Sequence, residues 1–553
     1  MDKTEAIQII DATLSAKGFE YIGPGPCDYK GSITVHGKGV DIKLFITDVQ
    51  FAKKAKAFLV DRSQIPLETL AHVESEDGIC YASGAGLPLD IYQPGQAVLR
   101  ILAEVERTLE LSYRGRANQE VVDEYQLYWD AGLGIRIFLP KACHSGIYEA
   151  CSYFACVNDK PVFLGIGDSK KLRGYTTKPI GTAQVWYLSQ NIGPASGVIV
   201  PQTLAEFENW LGYQPLTPAM SWNKAEKILH QGGILVIAAP NAVVGLELTL
   251  PHSISSAVKH GSIRKAGLPH IIRSKKHELN LKRYSGSWCS MENLTSRNYL
   301  DSASVQESSI ALIGCGTIGS HLAKMLIQCG AGINGKLTLF DNQLLSLGNI
   351  GRHLLGFAAV GENKASAVKN ELERFHPQVN VFAVDDDALA KWDMLKKHDL
   401  IIDATGEWNV QSALNERFLQ DCGDRLKGIL HSWVFMNGAA VQSFLNLGDE
   451  FACFRCLKPK FDGPWRHPAG DEHDELNLQP ASCGDGSYVP FSVDASTMAA
   501  SLANRMVLDW ATGKLGKRLR TVVVDMDRGR LQKPVSPPPS AHCPACASKR
   551  GAS

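Results

Sequence analysis

Two Cys-x-x-Cys pairs, Cys453 with Cys456 and Cys543 with Cys546, carry the plainest chemistry in this chain. Each pair can grip a cation from a tight turn. Together they supply four thiolates, a tetrahedral set that suits zinc, with a redox disulfide or free thiols as the alternatives. A second constellation spans residues 310 to 341, IALIGCGTIGSHLAKMLIQCGAGINGKLTLFD. Gly314, Gly316 and Gly319 let the backbone turn sharply and approach a phosphate, and Asp341 follows about 20 residues later, where an acidic side chain meets a ribose. Behind it Asn349, Arg352 and Lys364 bring an amide and two cations, as a triphosphate requires. Asp403 closes a third apolar strand, where a carboxylate can hold magnesium over the phosphates.

The elements that must position these groups are legible as patterns. Residues 310 to 341 predict a strand, a glycine turn, a helix and a second strand, with Ile318, Leu322, Met325, Leu326 and Cys329 as the helix's buried stripe. The segment 286–553 starts with this unit and continues α/β. The segment 1–120 predicts helix, antiparallel strands, loop, helix: Ile33 and Val35, then Val40, Ile42, Leu44 and Ile46 alternate with polar residues around the turn HGKG, and Val98, Leu102, Val105 and Leu109 follow helical spacing. The segment 121–285 mixes apolar runs with Gly/Pro breaks and has no chemical motif; it is expected to be a mixed linker domain. The stretch VSPPPSAHC is a stiff connector to the final cysteines.

Composition narrows the function. A chain of 553 residues exceeds what one core usually organises, and Lys plus Arg (57) equals Asp plus Glu (57), which argues against a strongly basic nucleic-acid binder. The N-terminus lacks the basic-then-apolar order of a secretory signal, and no uncharged apolar run reaches the roughly 20 residues that span a bilayer. A soluble, cytoplasmic protein is expected, with its 14 cysteines reduced.

The run from the glycine turn through DNQLLSLGNIGRHLLGFAAVGENKASAVKNELERFHP to LIIDATGEW closely resembles the adenylation domain of ubiquitin-activating enzymes and their ThiF/MoeB-type relatives in thiamin and molybdopterin biosynthesis. The resemblance covers roughly residues 295 to 530 and implies an α/β Rossmann-like domain that uses ATP and magnesium. Asp341 would hold the ribose, Arg352 and Lys364 the phosphates and Asp403 magnesium while a C-terminal carboxylate attacks the α-phosphorus. The family commonly has glutamine where this chain has His353. It also uses an arginine upstream of the turn, often from the partner subunit of a dimer, and Arg297 stands upstream here. The same family frequently carries two Cys-x-x-Cys pairs as a zinc clip.

Two further cysteines take their expected roles from resemblance. Cys483 lies in a polar Gly-rich loop before an apolar helix, where activating enzymes that go beyond adenylation place their nucleophile. The segment AHVESEDGICYASGAGLPLDIYQPGQAVLRILAEV, within about residues 1 to 115, resembles the active-site stretch of ubiquitin-conjugating enzymes, with His72 and Cys80 matching its histidine and cysteine. The usual His-Pro-Asn is His-Val-Glu here, so the asparagine that supports the oxyanion is missing. A conjugating-like α+β domain, a linker and an activating-like domain in one chain resemble the fused ubiquitin-transfer enzymes of bacterial anti-phage operons, above all the ancillary enzymes of cyclic-oligonucleotide-based anti-phage signalling (CBASS). That resemblance implies a homodimer that joins the C-terminal tail of a cyclic-nucleotide synthase (CD-NTase) to target protein amines. The same relay for a bacterial ubiquitin-like protein is an alternative, as is a sulfur-carrier adenylyltransferase. An NAD-dependent oxidoreductase or a non-catalytic nucleotide-binding scaffold stands behind these.

Overall fold

The computed structural model describes residues 2–67, 70–73, 77–81, 86–113, 117–129, 134–139, 145–168, 172–195, 198–296, 305–470, 478–480 and 487–547. The chain forms two compact units, Met1–Ser169 with Thr176–Trp288, and Lys170–Tyr175 with Cys289–Ser553.

The first unit opens with the helix Lys3–Ala16, whose first amide donates to the side chain of Asp2. Strands β1 (Glu20–Tyr21), β2 (Asp28–Val35), β3 (Lys38–Phe45) and β4 (Lys56–Leu59) follow as one antiparallel sheet in that order. His36 and Gly37, both at positive φ, make the two-residue turn between β2 and β3 that suits the strand twist. Ile33 pairs with Val40 and Gly31 with Ile42, so the apolar positions of both strands share the face covered by the helix Pro94–Leu111. Val98, Ile101, Val105 and Leu109 of that helix are buried against them.

The remainder of this unit is a closed barrel, a form that the mixed pattern of 121–285 did not suggest. Its strands are β5 (Ile135–Ile137), β6 (Gly146–Val157), β7 (Lys160–Ile166), β8 (Thr176–Tyr187), β9 (Ile234–Ala238), β10 (Val243–Leu248) and β11 (Leu281–Trp288), closed in the order β10-β11-β5-β7-β6-β8-β9. Ile135, Ile137, Leu164, Ile166, Val185, Val236 and Tyr284 pack together in one cluster, and Trp129, Trp186, Phe207 and Trp210 anchor a second. Every residue of β9 is buried, because both of its faces are covered, so it lacks the alternation of a half-exposed strand.

In the second unit a seven-stranded sheet runs β14-β13-β12-β15-β16-β17-β20. Its strands are β12 (Ser309–Ile313), β13 (Lys336–Phe340), β14 (Val381–Val384), β15 (Leu400–Asp403), β16 (Gly428–Phe435), β17 (Ala440–Asn446) and β20 (Leu519–Val523), while β18 (Gln479–Pro480) and β19 (Ser487–Tyr488) form a separate pair. The five strands from β14 to β16 are parallel; β17 runs antiparallel to β16, and β20 antiparallel to β17. The helices Gly319–Gln328 and Val493–Ala511 contribute Leu322, Leu326, Ala499, Ala503 and Met506 to the core on one face. The helix Trp408–Asp421 contributes Leu414 and Phe418 on the other. The carboxyl ends of β12, β13, β15 and β16 lie along one edge, where ligands of open α/β sheets bind. No helix of the described residues is long and apolar enough to cross a membrane.

Candidate active site

Along that edge lies a cavity of about 1060 Å³, lined among others by Gly314, Gly316, Asp341, Gln343, Arg352, Lys364, Ala388, Thr405, Trp408, Gln411, Trp433, Phe435, Trp465 and Phe491. Its volume lies just above the usual range of ~300–1,000 Å³ for small-molecule sites.

The glycine turn is held from both sides. The Cys315 amide donates to Asp341 Oδ2 at 2.8 Å, and His353 Nε2 donates to the Cys315 carbonyl at 2.7 Å. His353 Nδ1 accepts from the Leu355 amide at 3.0 Å, so its ring is the neutral Nε2–H tautomer. Burial holds the ring below the ordinary histidine pKa, against the pull of the Cys315 carbonyl, and raises the thiol of Cys315. Gly314 has φ +84°, and a Cβ on it would press on Thr405. A Cβ on Gly319 would fall 1.7 Å from the Gly314 carbonyl oxygen, whereas one on Gly316 would meet open space.

The charged residues around the turn are each positioned by a neighbour. Asp341 Oδ1 accepts from the Gln343 amide at 2.9 Å. The buried Lys364 donates from Nζ to Gln343 Oε1 at 2.7 Å and stands at the start of the helix Lys364–Phe375, capped by Asn363. Arg352 lies over the Phe491 ring, 4.4 Å from its centroid, and 5.7 Å from that of Tyr488. Asn349 does not line the cavity: its side-chain oxygen accepts from the amide and hydroxyl of Ser346, and its carbonyl accepts from the amides of Arg352 and His353. Asp403 is fully buried, with Oδ1 accepting from the Thr405 amide and hydroxyl and Oδ2 from His431 Nδ1 at 2.8 Å. Asp403 does not line the cavity; Thr405, which does, stands between this carboxylate and the glycine turn. Gln343, Thr405 and His431 were not singled out by sequence pattern, and His353 was marked only as standing where the resembling family commonly has glutamine. Gln343, two residues after the strand-end acid, is the one that proximity could have flagged.

Cys453, Cys456, Cys543 and Cys546 converge although 90 residues separate the pairs. All four are buried and their sulfurs lie within 4.8 Å of one another. The Cys453–Cys456, Cys453–Cys543 and Cys456–Cys546 separations are 3.8, 3.6 and 3.3 Å. Thiolates around a tetrahedral zinc at ~2.3 Å would stand about 3.8 Å apart, so the set fits a metal ion of that size. Asn415 Nδ2 donates to Cys453 and the Ser540 amide to Cys456, the outer-shell bonds expected around metal-bound thiolates.

In the first unit the Cys80 amide donates to the His72 carbonyl at 2.8 Å, beside a bridge between Val73 and Ile79. His72 is held at φ +59°. Its own amide donates to the Tyr128 hydroxyl at 3.0 Å. Its ring nitrogens face two carboxylates, Nδ1 to Glu124 at 3.0 Å and Nε2 to Glu120 at 3.5 Å. Cys80 is partly exposed. The carboxylates were invisible to the sequence pattern because they come from the segment after the conjugating-like helix. Cys483 and Arg297 lie outside the described residues.

Two protein-family patterns match this chain. The ThiF family pattern matches residues 294–545, and prokaryotic E2 family B matches residues 7–133. The chain is 28% identical over 579 residues to the "ATP-dependent ubiquitin transferase-like protein Cap2" of Pseudomonas aeruginosa (strain BWHPSA011 / Pa011), covering 99% of this chain and 100% of the relative. It is 23% identical to the protein of the same description in Escherichia coli (strain TW11681), covering 94% of this chain and 93% of the relative. "Ubiquitin-like modifier-activating enzyme 5" of Dictyostelium discoideum is 27% identical over 169 residues, covering 28% of this chain and 42% of that protein. The chain is a fusion of a prokaryotic E2-like domain with a ThiF-type adenylation domain, an adenylating and conjugating transferase.

Proposed function

We propose that the chain activates the C-terminal carboxylate of a protein and passes it, as two successive thioesters, to a target amine. The observation that carries this reading is one cavity that joins the glycine turn to Asp341, Arg352 and Lys364 at the carboxyl edge of the parallel strands. ATP would sit with its ribose at Asp341 and its phosphates at the turn, Arg352 and Lys364, with Asn349 shaping the loop that carries Arg352. Magnesium would be held by Asp403 and would neutralise phosphate charge.

In the first step a carboxylate oxygen attacks the α-phosphorus and pyrophosphate leaves. The Cys483 thiolate then attacks the acyl carbon and AMP leaves. The Cys80 thiolate displaces Cys483 from that thioester, and finally an amine displaces Cys80 to give an amide, losing a proton. His72, flanked by Glu120 and Glu124, is suited to take that proton or to order the loop that presents Cys80. Zinc in the four-cysteine site would tie the C-terminal tail to the ThiF-type domain without entering the chemistry.

The substrate we propose is the C-terminal tail of a CD-NTase, with conjugation in cytoplasmic anti-phage defence and the enzyme acting as a homodimer. The full-length likeness to the Cap2 proteins supports this reading, and the E2-like domain weighs against a sulfur-carrier adenylyltransferase. ATP–pyrophosphate exchange stimulated by a purified CD-NTase, and lost on deletion of its last residues, tests it; exchange indifferent to that deletion would refute it.

A further inference from the structure

Acyl transfer to and from a thiol passes through a tetrahedral oxyanion, and the main chain at Cys80 has no amide to spare for it. The Cys80 N–H donates to the His72 carbonyl at 2.8 Å, the Ile79 N–H to the Ala57 carbonyl at 2.8 Å and the Tyr81 N–H to the Ile79 carbonyl at 3.0 Å. A side-chain donor stands close by, the phenol of Tyr128. Its oxygen accepts from the His72 N–H at 3.0 Å, so Tyr128 and Cys80 are bonded to the amide and the carbonyl of one residue. That residue is held at φ +59°, a conformation that a side chain keeps only where its surroundings impose it. Among the described residues nothing accepts the phenol's own proton. The helix Tyr125–Trp129 that carries Tyr128 is fastened to the barrel. The Tyr125 hydroxyl donates to the Ile199 carbonyl at 2.6 Å, Gln126 Nε2 to the Gly286 carbonyl at 2.7 Å, and the Val243 amide to Gln126 Oε1 at 3.1 Å. Burial raises the pKa of the half-buried Tyr128 phenol, against the pull of the His72 amide, and Glu124 and Cys80 raise it further. The hydroxyl therefore keeps its proton at neutral pH and lies within electrostatic reach of the thiol.

We propose that Tyr128 is a catalytic residue of the conjugating site, its phenol donating a hydrogen bond to the acyl oxygen at Cys80 as that oxygen becomes an anion. The inference rests on the reading of Cys80 as the conjugating thiol and adds the donor that its chemistry needs. In discharge the amine nitrogen bonds to the thioester carbon and the C=O pair moves onto oxygen, where the phenol stabilises it. The pair then returns, the C–S bond breaks, Cys80 leaves as a thiolate, and the nitrogen's surplus proton passes to the His72–Glu124 pair. Loading of Cys80 runs through the same oxyanion, with one thiolate attacking and another leaving. Because Tyr128 is mounted on a helix bonded to β10 and β11, the segment after the conjugating-like helix completes the conjugating site.

The test bypasses ATP. The full chain is acylated with a peptide α-thioester of mercaptoethanesulfonate, the acyl group on Cys80 is located by peptide mass mapping, and its single-turnover transfer to free lysine is followed. Tyr128→Phe keeps the ring and should slow both acylation and discharge of Cys80 by about 100-fold. Alkylation of Cys80 by iodoacetamide develops no oxyanion and should stay within about twofold of wild type. Equal slowing of alkylation and acyl transfer would make Tyr128 a brace for the His72 loop and overturn the proposal, as would acyl transfer at the wild-type rate. A second variant, 3-fluorotyrosine at position 128, keeps the hydroxyl and decides the matter even where the phenylalanine variant does not fold. Its more acidic proton should speed discharge about twofold at a pH below the phenol's pKa, and a rate indifferent to fluorine would overturn the role. Wild-type protein that never carries the acyl group on Cys80 would overturn the conjugating reading and the role of Tyr128 together.

Discussion

His353 Nε2 donates to the carbonyl of Cys315 at 2.7 Å, in the middle of the glycine turn whose amide at the same residue donates to Asp341. One residue of the turn is thus fastened through both of its backbone groups, to a strand-end acid and to the loop that follows Arg352. The geometry of the glycine turn depends on a histidine in a position where the resembling families commonly use glutamine.

His353→Ala should therefore raise KM for ATP by about tenfold, the loss of one buried hydrogen bond and the desolvated carbonyl it leaves behind. His353→Gln supplies an N–H donor to the same carbonyl and should stay within about threefold of wild type. Equal losses in the two variants, measured by pyrophosphate exchange, would show that the ring does not act through this bond.

The same ring predicts a pH dependence of stability. Burial lowers the folded-state pKa of His353, of His376 and of His398, the last to about 4 with its Nε2 2.8 Å from Thr338 Oγ1. The unfolded chain then binds more protons than the folded one below the ordinary histidine pKa of ~6.5, so stability is complete above that pH and falls progressively as the pH drops toward about 4. Urea unfolding at a series of pH values should show that slope, and His353→Gln should make it shallower.

The three glycines of the turn should separate into structural and functional ones. Gly319→Ala forces a methyl to 1.7 Å from the Gly314 carbonyl oxygen and should destabilise the second unit by about 3 kcal/mol or more. Gly316→Ala meets open space. It should unfold like wild type while weakening ATP, because the added methyl stands where the phosphates approach. Thermal unfolding with and without ATP distinguishes the two.

These glycines, with Asp341, belong to a strand, turn and helix that are contiguous in the chain, so local periodicity and turn chemistry suffice to read them. The four cysteines are equally legible because each half-site is a contiguous four-residue Cys-x-x-Cys motif. The barrel is not: β11 closes on β5 through pairs such as Gly286 with Ile135, far apart in sequence, and the uniformly buried β9 carries no alternation to betray a strand. The partners of Lys364, His72 and Asp403, namely Gln343, Glu124 and His431, are likewise set by tertiary packing, and no spacing rule announces them.

Zinc should be found at about one ion per chain, and its chelation should lower the thermal midpoint together with the order of the C-terminal tail. Cys543→Ser should do the same without added chelator. Elemental analysis that finds no metal in protein purified under reducing conditions would refute the assignment.

Glu124→Gln removes the carboxylate 3.0 Å from His72 Nδ1. It should slow discharge of the Cys80 thioester to free lysine by about tenfold while loading of Cys80 proceeds, since the carboxylate acts on the amine step. A single-turnover discharge assay reads this directly, and equal loss of loading and discharge would make the pair a purely structural clamp.

The central claim is the order of the relay, and intact mass measures it most directly. Wild-type, Cys483→Ala and Cys80→Ala proteins are incubated with ATP, magnesium and a CD-NTase, then weighed under conditions that preserve thioesters. The relay predicts an adduct on Cys483 that persists in Cys80→Ala, and no adduct on Cys80 in either variant. An adduct on Cys80 in the Cys483→Ala protein, or none in any sample despite pyrophosphate release, would contradict it.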